Sequence, residues 1–229
     1  RMCMDLVDMG TKESGGMKWL FNIIDTFSKY AWSRALPDKE GPTAVKALEG
    51  ILDDMKTRFG VQPRAIQSDN GSEFVSKEMT SMLKKRGITQ IFSLPHKPST
   101  NGAVERFNGT LERMLNIIRY QDGDPNWPKY LDKVMENYNS SYQDAIKTTP
   151  ISVVQKFVNG EDTNATYEQL DKRRLTINPA LAKPDAVLYR IGERVRIRLE
   201  LDKRSGRNWS RDPYTIKWVG KSKYGPQYS

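Results

Sequence analysis

The sequence predicts an α/β fold followed by a small β-rich tail, and three observations carry that prediction. Short apolar segments bounded by turn residues alternate with longer segments of helical periodicity over residues 2–120. The hydrophobic content is 37 %, with ten Tyr and five Trp among 229 residues, which is ample for a buried core. The basic charge is unevenly placed: residues 185–229 hold eleven basic and five acidic side chains, +6 of the net +9, while the larger part is nearly balanced.

In chain order, residues 2–9 read as a mostly apolar strand, Trp19–Asp25 as a second and residues 30–36 as a third. Residues 43–59 follow as an amphipathic helix whose apolar face is Val45, Leu48, Ile51, Leu52 and Met55. Residues 64–68 make a short strand ending at Asp69, 74–86 a helix stopped by Gly87, and 89–94 another strand. The composition of residues 95–102 is that of a loop. Residues 103–120 then form a strong helix, with Val104, Phe107, Leu111, Met114, Leu115 and Ile118 on its buried face. Two further helices follow over 127–142 and 150–157.

A polar stretch around 159–170 leads through Lys172-Arg173-Arg174 into a linker that runs to about residue 184. Strands over 187–199 and 214–219, with the turn-rich LDKRSGRNWSRDP between them, suggest a small β-barrel. The expected organisation is therefore a core with its following helices over 1–158, a linker over 159–184, and a partial barrel over 185–229. The chain opens inside a strand, at Arg1-Met2-Cys3, and reads as a fragment.

Composition also excludes mechanisms. Cys3 and His96 are the only residues of their types, so a disulfide framework, a Cys/His zinc site and a Cys-His nucleophile pair are all ruled out within this sequence. No apolar run reaches the roughly 18 residues of a membrane span, and no signal-peptide pattern opens the chain. The net charge of +9 favours a polyanionic partner through salt-sensitive attraction.

Three acids stand out. Asp5 lies between Met4 and Leu6 in an apolar strand, where an ionised carboxylate is costly unless its charge is compensated. Asp69 ends a strand in the turn Asp69-Asn70-Gly71-Ser72, and Glu105 opens the helix of residues 103–120. Taken singly, each has an ordinary explanation: an edge strand facing water, turn chemistry, and a charge complementing the helix dipole. The 35 residues between Asp69 and Glu105 carry little weight in a chain with 28 acidic residues. The flanking words carry the specificity. These are Gln67-Ser68-Asp69-Asn70-Gly71-Ser72-Glu73-Phe74 and Pro98-Ser99-Thr100-Asn101-Gly102-Ala103-Val104-Glu105-Arg106-Phe107-Asn108.

With these words the sequence closely resembles the retroviral-type integrase and integrase-like transposase core family, with its D…D-x35-E triad. The strand Met4-Asp5-Leu6-Val7-Asp8-Met9 and the segment Ile24-Asp25-Thr26-Phe27-Ser28-Lys29-Tyr30-Ala31-Trp32 match the family's opening strands, so the resemblance covers about residues 2–120. GERVRI…NWSRDPYTI further resembles the C-terminal barrel of integrases from retrotransposons and Maverick/Polinton-type elements. The resemblance implies a ribonuclease-H-like mixed sheet flanked by helices, then helices and an incomplete Src-homology-3-like β-barrel. It implies Asp5, Asp69 and Glu105 as the catalytic and metal-ligating residues, holding two Mg²⁺ or Mn²⁺ ions that clamp an in-line displacement at phosphorus. The implied activity trims 3′ DNA ends and joins them to target DNA, in the nucleus, by a homo-oligomer that touches no membrane.

Two alternatives stay open, a domesticated DNA-binding protein without catalysis and a plain ribonuclease-H-like nuclease. Asp8, Asp25 and Glu73 are rival acids, and His96 is a lone loop residue. The family's loop and helix touch element DNA ends, which makes Lys97, Asn101, Arg106 and Asn108 expected DNA contacts, with an ion pair as the equal reading for Arg106. Arg194, Arg196 and Arg198 alternate along one strand and so share a face, where stacked like charges destabilise the strand unless a polyanion faces them; with Trp209 they form an expected phosphate-backbone contact, a merely solvated edge being the other reading. Two departures from the family are expected to limit concerted integration. The N-terminal zinc-binding domain has no counterpart, and the barrel stops at Ser229 before its last strands.

Overall fold

The computed structural model describes residues 1–10, 14–93 and 102–177, and beyond them four short strands. Five strands form one mixed sheet in the order β3-β2-β1-β4-β5. β1 (Met2–Asp8), β2 (Trp19–Asp25) and β3 (Ala31–Leu36) make an antiparallel meander, while β4 (Ala65–Ser68) and β5 (Thr89–Phe92) run parallel to β1. Antiparallel neighbours need only short turns, but parallel ones need crossovers, which α1 (Gly41–Phe59) and α2 (Lys77–Lys85) supply.

Both faces of the sheet are covered, which is why its strands are apolar on both sides rather than alternating. Met4, Phe21, Ile23 and Trp32 point to the face packed by α1 and α2. Cys3, Leu20, Ile24 and Ala31 point to the other, packed by α3 (Gly102–Asp122), a 3-10 turn (Trp127–Tyr130) and α4 (Leu131–Ser140). Val104, Phe107, Leu111 and Leu115 recur at three- and four-residue spacing along α3 and are all buried. This stripe presses α3 onto β1 and β2 and thereby sets the height of its first turn over the sheet.

Some boundaries differ from expectation for local reasons. α2 begins at Lys77 rather than residue 74 because the Ser76 hydroxyl accepts from the Met79 N–H at 3.1 Å, a side-chain cap. Phe74 and Val75 belong instead to a turn, both N–H groups donating to the Gly71 carbonyl. Gly87, at φ 67, takes the left-handed conformation that ends this helix, as the sequence suggested. The helix expected over 127–142 divides into the 3-10 turn and α4, with Pro128 near the start of the turn, where its missing N–H is harmless. α5 (Pro150–Val158) is capped by Thr149.

The segment expected as a linker carries a helix, α6 (Asn164–Ile177). Its apolar residues form no single stripe, so helical periodicity gave no sign of it; the Tyr167 ring packs on Phe27 at 4.4 Å. The chain divides into two compact units, Arg1–Gln169 and Leu170–Ser229. Among the described residues, the second holds two antiparallel ladders, β6 (Arg194–Val195) with β7 (Tyr214–Thr215), and β8 (Val219–Ser222) with β9 (Gly225–Tyr228). Two separate ladders do not establish the expected Src-homology-3-like barrel. Among the described residues, no helix is long and apolar enough to cross a membrane.

Candidate active site

Strand alternation places Asp5 on the same face of β1 as Cys3, the face covered by α3. Its carboxylate is held at both oxygens: Oδ1 accepts from the Leu6 N–H at 2.9 Å, and Oδ2 from the Asn108 side-chain amide at 2.8 Å. Burial pushes the Asp5 carboxyl up from 3.8 to about 6, and the negative charges of Asp69 and Glu105 push the same way. The two hydrogen bonds oppose that rise without cancelling it. Asp5 is thus a half-buried acid that two other carboxylates face.

Those two come from separate elements. Asp69 follows the last residue of β4, which runs parallel to β1 with Cys3 opposite Gln67. Two residues beyond that pair on each strand lie Asp5 and Asp69. The Asp69 side chain is exposed, and its Oδ1 accepts from the Gly71 N–H at 3.0 Å, fixing the turn. The loop is tied to β5 by the Ser93 N–H, which donates to the Ser68 carbonyl at 2.8 Å, and by the Asn70 amide, which donates to the Ser93 carbonyl at 3.2 Å. Glu105 lies in the first turn of α3 and is exposed. Asn108 stands three residues later, so the two share a side of the helix, and Asn108 touches Asp5 directly.

The three carboxylates therefore interact electrostatically, but they do not stand at ligating distance. Among the described residues, no three His, Cys, Asp or Glu side chains are grouped closely enough to hold a metal ion.

The rival acids have local partners. Asp8 is exposed and accepts from the Gly10 N–H at 2.8 Å, while Asp25 accepts from the Ser28 backbone and hydroxyl at 2.8 and 2.7 Å. Glu73 folds back over Gly71, where a Cβ would meet its carboxylate at 2.8 Å.

Asn108 departs from its expected role as a DNA contact. It is 7 % exposed, and both ends of its amide are engaged inside the protein, Nδ2 with Asp5 and Oδ1 with Asn22. Arg106 is exposed, and its guanidinium lies near Gly102. Lys97, Asn101 and His96 fall outside the described residues, as do Arg196, Arg198 and Trp209; Arg194 lies in β6.

Sequence reading missed Asn22 and Ser33. The Ser33 hydroxyl donates to Asn22 Oδ1 at 2.5 Å, and the Asn22 amide donates to Asn108 Oδ1 at 2.9 Å. The signal was present: Asn22 is the one polar residue between Trp19 and Ile24, in the second of the apolar strands.

A sheet in the order 3-2-1-4-5, its first three strands antiparallel, with an acid on the central strand and a second acid just past β4, defines the ribonuclease-H-like class. Residues 1–98 of the chain match the family model described as the integrase core domain, in agreement with the resemblance read from the sequence. The polyproteins of transposons Tf2-3 and Tf2-4 of Schizosaccharomyces pombe are each 31 % identical to it over 146 residues, 63 % of this chain. The chain spans 11 % of the length of these relatives. The HTLV-2 integrase catalytic core domain, solved in complex with magnesium in a trimeric form, superposes with a TM-score of 0.55 at 20 % identity, covering 66 % of this chain and 93 % of that one. The catalytic core domain of BIV integrase gives 0.55 at 19 % identity, covering 69 % and 95 %. At these identities the two structures speak for the fold.

Proposed function

We propose that this chain is the core of a polynucleotidyl transferase that cuts DNA strands and joins their 3′ ends to other DNA, with Asp5, Asp69 and Glu105 as its metal-binding and catalytic residues. The observation that carries the reading is the half-buried Asp5 carboxyl, held at both oxygens and facing the charges of Asp69 and Glu105. An ionised Asp5, disfavoured by burial and by the charges of Asp69 and Glu105, is costly unless a cation neutralises it, and three carboxylates are hard oxygen donors suited to Mg²⁺ or Mn²⁺. The magnesium bound by the HTLV-2 core domain accords with that choice.

Asp5, Asp69 and Glu105 would hold a pair of such ions, which supply Lewis-acid activation of the attacking oxygen and charge neutralisation at the leaving oxygen. The residues divide the work. Asp5 is the fixed ligand, since Leu6 and Asn108 set its orientation before any cation arrives. Asp69 and Glu105, exposed on a turn and a helix end, would supply the remaining oxygens. The chemistry uses no nucleophile from the protein, which agrees with a chain whose one cysteine is buried. The net charge of +9 favours DNA as the partner, and we propose that the protein acts in the nucleus as a homo-oligomer.

The test needs no knowledge of the element's end sequence. A branched duplex that mimics the joined product can be resolved by the reverse of the joining reaction, through the same transition state. We expect Mg²⁺- or Mn²⁺-dependent resolution by the full chain and its loss in Glu105→Gln, with DNA affinity within a few-fold. Cleavage without any joining would favour the plain nuclease. DNA binding with neither activity in either metal would favour the non-catalytic module, and undiminished activity in Glu105→Gln would remove Glu105 from the site.

A further inference from the structure

Asp5, Asn22 and Ser33 are direct neighbours across three strands. The register sets Asp5 opposite Asn22 on β1 and β2, and Asn22 opposite Ser33 on β2 and β3. All three point to the face under α3, and Asn108 comes down from that helix to meet the row. The result is a chain of donors running one way. Ser33 donates to Asn22 at 2.5 Å, Asn22 to Asn108 at 2.9 Å, and Asn108 to Asp5 at 2.8 Å.

This row is costly as packing. Asn22 is 0 % exposed and Ser33 2 %, in a layer otherwise built from Leu20, Ile24 and Ala31. A valine or isoleucine at position 22 would fill such a layer without needing a polar partner, whereas a buried amide is tolerated only when both its ends are bonded. The bonds made here do not close on themselves; they end on the carboxylate.

We infer that Asn22 and Ser33 are positioning residues that act on Asp5 through Asn108. The inference rests on the reading of Asp5 as a metal ligand. An amide side chain can present either end to a neighbour. The Ser33 hydroxyl occupies Asn22 Oδ1, which directs the Asn22 N–H groups to Asn108 Oδ1, which in turn leaves the Asn108 N–H groups for Asp5. Bonds aligned in this direction polarise one another, so the last is strengthened by the first two. The carboxylate is then pinned at one site on each oxygen, leaving about one acceptor site on each for a cation. Partners beyond the ligands that fix a ligand's orientation typically change metal affinity or activity by about 10–100-fold when removed.

The experiment uses the full chain and Mn²⁺ as the probe. Binding is measured by water-proton relaxation, turnover on the branched duplex, and folding by thermal melting. Asn22→Val should weaken Mn²⁺ binding about tenfold or more and lower kcat with the KM for DNA unchanged, and Ser33→Ala should act the same way to a smaller extent. Asn22→Val should add nothing further in an Asn108→Ala background, because the relay is already cut there. In a crystal structure of Asn22→Val, the Asn108 amide should have left hydrogen-bond reach of Asp5. A structural role alone would lower the melting temperature of Asn22→Val and Ser33→Ala equally in both backgrounds and leave Mn²⁺ affinity unchanged, which overturns the inference. A wild type that binds Mn²⁺ and resolves the duplex, with both variants unchanged, also overturns the inference and leaves the function standing. A wild type with no Mn²⁺ site at Asp5 overturns the function and the inference together.

Discussion

Asp5→Asn tests whether the candidate site stores electrostatic strain. Raising the carboxyl from 3.8 to about 6 corresponds to about 3 kcal/mol of penalty on its ionised form in the folded chain. Asp5 is only half-buried, so solvent screening reduces this to about 2 kcal/mol. Asparagine removes the charge but offers one oxygen to two donors, Leu6 and Asn108, and the lost hydrogen bond costs about 1 kcal/mol. The net expectation is a variant about 1 kcal/mol more stable than wild type at pH 8, a rise of about 2–4 °C in Tm for a unit of this size.

The pH dependence follows from the direction of the shift. Between about pH 4 and 6 the folded chain holds the Asp5 proton more than the unfolded chain does, so wild-type stability falls as pH rises through that window. Below it the penalty is absent, and only the lost hydrogen bond separates the two proteins. Denaturant unfolding without divalent cations should therefore show Asp5→Asn more stable at pH 8 and equal or less stable at pH 4. Mg²⁺ should reverse the order at pH 8, because a ligand of the folded state at a hundred times its Kd adds about 2.7 kcal/mol to the wild type alone. Equal destabilisation of the variant at both pH values would refute the argument.

Two other outcomes are expected. Deleting residues 185–229, which carry +6 of the net charge, should weaken DNA binding and flatten its dependence on salt; an unchanged slope would assign DNA binding to the core. Gly71→Ala places a Cβ 2.8 Å from the Glu73 carboxylate, a flexible side-chain end that can swing away, so the cost in a denaturant titration should stay below about 1 kcal/mol. A larger loss would mean that the turn holding Asp69 cannot accept a side chain at all.

The sheet was legible because each of its strands is short, apolar and bounded by turn residues, and because the long helices repeat their apolar residues every third or fourth position. α6 was not, since its apolar residues fall on no single face, and its Tyr167 finds a partner, Phe27, 140 residues away in sequence. α2 was read as starting three residues too early because Phe74 extends the apolar periodicity, while the capping hydroxyl of Ser76, which sets the start, is an ordinary serine until the Met79 N–H is seen beneath it. Local patterns report what a segment prefers; they do not report which tertiary partner ends or begins it.

The same division runs through the site. Asp5, Asp69 and Glu105 are exposed to sequence reading because a charge in an apolar strand and the words around two others are anomalies in one dimension. Asn108 was noticed but given the wrong direction, outward to DNA, although it follows Phe107 on the side of α3 that lies against β1 and β2. Asn22 and Ser33 stand 11 residues apart on strands that look like core, and nothing in the chain order links them to a carboxylate at position 5. Only the register of the sheet does so. With β1, β2 and β3 antiparallel, a slip of one residue in either pairing would turn one member of the row to the α1 face and break the donor chain. Placing the row therefore uses the same packing that fixes the register: Leu20, Ile24 and Ala31 held under α3, and Phe21, Ile23 and Trp32 held under α1.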